Sequence, residues 1–167
     1  MKNNTAYIAF GSNKGDCLKN IRTALKELAK YGTVKKISPL FRTKPEGFAA
    51  QADFINGALA LETALPPQDL LAKLKEIETS VGREKTFRNG PREIDLDIIF
   101  YGNQTLNLPT LQIPHPRFAQ REFVLLPLSF IARERIDPVS KKTVKELLEA
   151  LKHAKGQSDC IKLDEAV

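Results

Sequence analysis

The stretch RNGPREIDLDIIF, residues 88–100, decides how the chain folds. Its second half reads as a β-strand in which apolar Leu96, Ile98 and Phe100 alternate with acidic Asp95 and Asp97. Successive strand side chains point to opposite faces. Asp95 and Asp97 are therefore expected on one face, and Leu96, Ile98 and Phe100 on the other. A buried strand does not ordinarily carry acids, so the same pattern also raises the question of function.

Working outward, TAYIAFGS (5–12) reads as a strand that ends in the turn GSNKGD. Asp16 is placed to cap a helix whose apolar stripe is Leu18, Ile21, Leu25 and Leu28, with Gly32 expected to end it. TVKKISPLFRT (33–43) is a second strand, where Pro39 implies an edge position or a bulge. The loop KPEGFAAQAD leads into a third strand, FINGALALET (54–63). PPQDLLAKLKEIETSVG (66–82) is a second helix, with Pro67 near its first turn and Leu70, Leu74, Ile77 and Val81 as its stripe. The loop GREKTFRNGPR then feeds the strand EIDLDIIFYG (93–102).

The order is βαββαβ, an α+β ferredoxin-like arrangement with helices on one face of an antiparallel sheet. The rest reads as an appended C-terminal lobe: a proline-punctuated loop and short apolar helix (106–132), then a final helix, TVKELLEALKHA (143–154). We treat residues 1–167 as one domain, with 152–167 a variable tail.

With 167 residues, 42% hydrophobic and 28% charged, the composition is that of a globular chain with a real core. No apolar run approaches the roughly 20 residues of a membrane span, and the N-terminal stretch is too short for a signal peptide. Cys17 and Cys160 show no metal-type spacing, which suits a reducing cytoplasm. The net charge of +6 could serve nucleic acid, an acidic partner or a polyphosphate. Many of the lysines fall on ordinary helix faces. The arginines differ: Arg83, Arg88, Arg92, Arg117 and Arg121 crowd the same third of the chain as the aspartates, and arginine suits bidentate phosphate recognition.

Residues two apart on a strand have Cα atoms about 6.5 to 7 Å apart, so the Asp95 and Asp97 carboxylates can lean onto shared cations. Without a cation they would repel. All-oxygen ligands favour Mg²⁺, which binds through one or two carboxylates together with substrate phosphates. Two solvated acids on an edge strand would give the same pattern. Arg92, framed by Gly90 and Pro91, tips the reading toward a metal-bound polyphosphate, with Arg83 placed to converge from the other end of the loop. Neither GxxxxGK[ST] nor GxGxxG occurs, so any ATP site is of another kind.

RNGPREIDLDIIFYG resembles the signature of the 6-hydroxymethyl-7,8-dihydropterin pyrophosphokinase family of folate biosynthesis. AYIAFGSN, FRTKPEG, FINGALALET, IETSVGRE, IPHPRFAQREFVLLPL and DPVSKKTVKELL match in the same order, covering about residues 5 to 151. The resemblance implies transfer of pyrophosphate from Mg-ATP to the pterin hydroxymethyl group, with AMP released and ATP as co-substrate. It makes Asp95 and Asp97 the ligands of two Mg²⁺ ions, and Arg83 and Arg92 the groups that neutralise phosphate charge.

It further implies a pterin site of Thr43, Lys44, Glu46, Phe54, Asn56, Asp95 and Phe123, with the two rings stacking on the heterocycle. ATP contacts are implied for Glu78, Arg83, Lys85, Arg92, Ile98, His115 and Arg121. The loops around 44–53 and 83–92 would form the lid. Association with other folate-pathway enzymes is compatible with this reading. No nucleic-acid or membrane partner is expected.

Two rival classes remain on the residues alone. An RNA-binding module would need aromatics with lysine or arginine on the central strands, where this chain puts carboxylates. A metal-dependent phosphatase or nuclease could use the same acids, and its products would distinguish it, since hydrolysis needs no pterin.

Overall fold

The computed structural model describes residues 2–47, 50–82 and 90–167. Its centre is β1 (Asn4–Ser12), a nine-residue strand hydrogen-bonded antiparallel to β4 (Phe54–Thr63) on one side and β5 (Asp95–Tyr101) on the other. The second expected strand is split. β2 (Thr33–Ile37) and β3 (Phe41–Thr43) pair with successive parts of β4, and Pro39, which has no N–H for a ladder, sits in the break. The sheet order is β5-β1-β4-β3-β8, with β2 also on β4 and β8 (Cys160–Lys162) forming the edge beyond β3. It is a mixed α/β architecture built on an antiparallel sheet.

Helices lie on both faces. α1 (Cys17–Leu28) and α2 (Pro67–Val81) bury Ile21, Ala24, Leu28, Leu70, Leu74 and Ile77 against one face. α3 (Glu122–Ala132) and α4 (Val144–Lys155) cover the other, packing Val124, Leu125, Leu128 and Val144 over Ala9, Ala58, Ile99 and Phe100. Burying each such leucine or isoleucine contributes about 2 kcal/mol.

The helix starts follow their sequences. The Asp16 side chain accepts from the Lys19 amide, and Thr143 with Glu146 forms a reciprocal capping box on α4. α1 stops at Leu28, ahead of Gly32. Gly32 instead serves a close approach, since a Cβ there would lie 2.4 Å from the Glu62 carbonyl oxygen.

Two further expectations are corrected. The loop read across 106–113 contains a hairpin, β6 (Leu106–Leu108) paired with β7 (Leu111–Ile113) around Pro109 and Thr110. Phe100 does not share a face with Leu96 and Ile98. Tyr7 pairs with Phe100 and Ile8 with Ile98, so the intervening residue is a β-bulge. The bulge returns Phe100 to the α3 face, where its ring meets Phe118 edge-on at 5.1 Å.

Candidate active site

The sheet itself makes the hollow. Across the ladder, Asp95 on β5 stands opposite Gly11 on β1, which stands opposite Asn56 on β4. The next row on the same face is Asp97, Ala9 and Ala58. Residues in one row point to one face, so two acids and an asparagine rise around a floor of glycine and alanine. The result is a cavity of about 320 Å³ at the α3 side of the sheet.

The two acids of this wall are half-buried. Burial, then the charges of Asp95 and Glu78, push the Asp97 carboxyl up to about 7, against the opposing pull of Lys75 and Arg121. A dication relieves that crowding. Among the described residues no group of three or more His, Cys, Asp or Glu is placed to hold a metal. The pair alone fits Mg²⁺, which keeps waters and takes substrate oxygens. Both Arg92 and Lys75 line the same cavity.

The opposite wall combines a buried amide with aromatic surface. Asn56 is buried, and its Nδ2 donates to Thr43 Oγ1 at 2.6 Å, which fixes the amide plane. Phe54 and Phe123 contribute aromatic surface. Arg121 crosses from the start of α3 to Glu46, Nη2 to Oε1 at 3.1 Å, with its guanidinium 5.6 Å from the Phe123 ring centre. The main chain of His115 is held by the bulge, its amide donating to the Ile99 carbonyl. His115 Nδ1 accepts from the Arg117 amide, so the neutral ring carries its proton on Nε2. Burial and the neighbouring Arg121 push its pKa down to about 4.

Of the residues expected from sequence, Thr43, Lys44, Glu46, Phe54, Asn56, Arg92, Asp95, Asp97, His115, Arg121 and Phe123 all line this cavity. Glu78 and Ile98 do not. Glu78 is 3% exposed; its Oε2 accepts from the Leu96 amide at 2.8 Å and its Oε1 lies 3.4 Å from Lys75 Nζ. The Ile98 side chain is buried in the core beneath α1 and α2. Arg83 and Lys85 lie outside the described residues.

Sequence reasoning missed Lys75 and Gly11. Lys75 could have been found from its three-residue spacing to Glu78 on α2. Gly11 became visible only with the strand register.

Paired carboxylates beside arginine, in a cleft on an α/β antiparallel sheet, are the groups that metal-assisted phosphate transfer uses. The family model described as 7,8-dihydro-6-hydroxymethylpterin-pyrophosphokinase (HPPK) matches residues 7–133. The chain belongs to that family. A 2-amino-4-hydroxy-6-hydroxymethyldihydropteridine pyrophosphokinase of Aquifex aeolicus (strain VF5) is 39% identical over 142 residues, covering 85% of this chain and 89% of the relative. Its Bacillus subtilis (strain 168) namesake is 37% identical over 162 residues, 95% of this chain and 97% of the relative. Folic acid synthesis protein FOL1 of Dictyostelium discoideum is 46% identical over 81% of this chain, which spans only 21% of that longer protein. In fold, the chain is similar to the Plasmodium falciparum HPPK-DHPS structure, with a TM-score of 0.78 at 16% identity, covering 96% of this chain and 47% of that one.

Proposed function

We propose that this chain transfers the pyrophosphoryl group of Mg-ATP to the hydroxymethyl group of 6-hydroxymethyl-7,8-dihydropterin, giving the pterin diphosphate and AMP. One observation carries the reading. The acid pair and the Asn56 amide face each other across a single glycine, Gly11, about 10 Å apart at the backbone. A metal-bound triphosphate and a flat hydrogen-bonding ring held at those two walls would meet over Gly11.

Asp95 and Asp97 would hold Mg²⁺, with two ions proposed. When bound, the metal neutralises triphosphate charge and orients the β-phosphorus. Arg92, Arg121 and His115 take phosphate oxygens, and the family resemblance adds Arg83 and Lys85 to them; of the nucleotide contacts it also implies, Glu78 and Ile98 lie outside the cavity. Phe54 and Phe123 stack on the pterin. The Asn56 amide, with groups at Thr43, Lys44 and Glu46, reads its edge. The pterin hydroxyl oxygen bonds to the β-phosphorus, the bond from that phosphorus to the α-phosphate bridging oxygen breaks, and AMP leaves. The hydroxyl proton passes to water or a phosphate oxygen. The chain's contribution is position and charge.

The same reading covers the whole chain: a ferredoxin-like βαββαβ core with a C-terminal lobe as one domain, acting in the cytoplasm alongside other folate-pathway enzymes. The two free thiols are in keeping with a reducing compartment. The chain's similarity to half of HPPK-DHPS chains supports such an association.

The test is nucleotide analysis after incubation with ATP, Mg²⁺ and the pterin. AMP should appear in step with pterin diphosphate and vanish with Asp97→Ala. ADP, free phosphate or pterin-independent turnover would reject the assignment.

A further inference from the structure

We propose that the C-terminal segment 155–163 is a positioning brace for the pterin-facing wall of the cavity, acting through Thr43 on β3 and through Glu122 at the start of α3. The proposal rests on the pterin reading above. The family match ends at residue 133, so the brace lies beyond it.

The first anchor is strand pairing. β3 has only three residues, and it carries Thr43, whose hydroxyl fixes the Asn56 amide. So short a strand holds its position weakly when it pairs on one side alone. β8 supplies the second side, setting Cys160 opposite Thr43 and Ile161 opposite Arg42. The Leu163 amide extends the ladder to the Leu40 carbonyl at 2.8 Å.

The second anchor is a buried acid. Glu122 stands between Arg121 and Phe123, both on the cavity wall, yet it is 4% exposed and faces the tail. Its Oε1 accepts from the Asp159 amide at 3.1 Å and lies 3.7 Å from Lys155 Nζ, which itself reaches Asp159 Oδ2 at 2.7 Å. A buried carboxylate requires such partners. Here they come from the tail, so one segment ties β3 and α3 together. Binding groups must be held to about 0.5 Å to keep a ligand's hydrogen bonds, and a brace of this kind does so.

Ile161 offers a clean test because its side chain is exposed. Counting back from the Leu163 bond, its N–H points at Arg42, so Ile161→Pro removes that donor without opening the core. Ile161→Ala keeps the donor.

In the full chain, Ile161→Pro should speed hydrogen exchange at Arg42 and weaken pterin binding about tenfold by calorimetry, with KM for ATP unchanged and Ile161→Ala like wild type. Faster exchange with wild-type pterin affinity would overturn the brace, as would equal losses for both substrates. If Ile161→Pro does not fold, Lys155→Met tests the other anchor: pterin affinity should drop about threefold, and an unchanged value overturns the proposal. A wild-type chain that binds ATP but no pterin would overturn the function reading itself, before any variant is made.

Discussion

Asn13 and Arg92 hold each other reciprocally: the Asn13 amide donates to the Arg92 carbonyl at 3.0 Å, and the Arg92 amide donates to Asn13 Oδ1 at 2.8 Å. The same side chain reaches the other flank of the cavity, with Nδ2 donating to Gln51 Oε1 at 2.8 Å and to the Ala52 carbonyl at 2.9 Å. One amide at the end of β1 thus joins the segment before β4 to the segment before β5. That fixes the backbone from which Arg92 enters the site.

Asn13→Ala should therefore lower stability by about 2 kcal/mol in urea unfolding, since Asn13 is only 5% exposed and its partners lose their bonds. It should also reduce kcat, because Arg92 loses its anchor. Asn13→Asp keeps the acceptor for Arg92 and loses the Nδ2 donor, so its kcat should lie between the two. A variant with Ala as stable and as active as wild type would show that the flanks are held by other means.

Gly11 separates the two halves of the proposed reaction, and a side chain there has no room. A Cβ would lie 2.3 Å from Asn56 Oδ1, so Gly11→Ala must displace the amide read as the pterin's partner. Pterin affinity should drop by about tenfold or more, while ATP affinity, measured by calorimetry with Mg²⁺, stays near wild type. Equal weakening of both ligands would place Asn56 outside the pterin contact.

Much of this was legible in the sequence because it depends on local period. Asp95 and Asp97 share a face through simple alternation, and Asp16 caps α1 through its own spacing. What escaped reading depends on partners distant in the chain. The bulge that turns Phe100 over exists only in register with Tyr7 and Ile8. Asn13 looks like a turn residue until the chain brings it to Gln51, 38 positions on, and Arg92, 79 positions on. β8 is three residues with no apolar alternation to announce it, and only the free side of β3 makes it a strand. Glu78 was read from resemblance as nucleotide-facing, and that reading cannot register the Leu96 amide it captures.

That capture gives Glu78 a distinct signature. Leu96 lies between the two aspartates, and its N–H points outward from the sheet edge to Glu78 Oε2. Glu78→Ala leaves the amide without this acceptor and should cost about 1 to 3 kcal/mol of stability. Glu78→Gln retains an acceptor and should be milder. If nucleotide contact were its main role, both variants would raise KM for ATP alike without a difference in stability, and thermal melts beside ATP titrations separate the cases.

The Asp97 shift predicts how pH and metal should act together. An aspartate in the unfolded chain ionises near 4, whereas Asp97 in the folded chain ionises at about 7. Between those values the folded state holds a proton that the unfolded state has released. The contribution of this group to stability therefore falls as pH rises from about 4 to about 7, and is flat above. Mg²⁺ needs the carboxylate, so its binding releases that proton below pH 7 and is unhindered above it. In metal-free buffer, the wild-type melting temperature should lose ground to that of Asp97→Asn as pH rises from 5 to 8. Added Mg²⁺ should raise the wild-type melting temperature more at pH 8 than at pH 5.5, and should do little for Asp97→Asn at either. A Mg²⁺ effect of equal size at both pH values, or one that survives in Asp97→Asn, would move the metal away from this carboxylate.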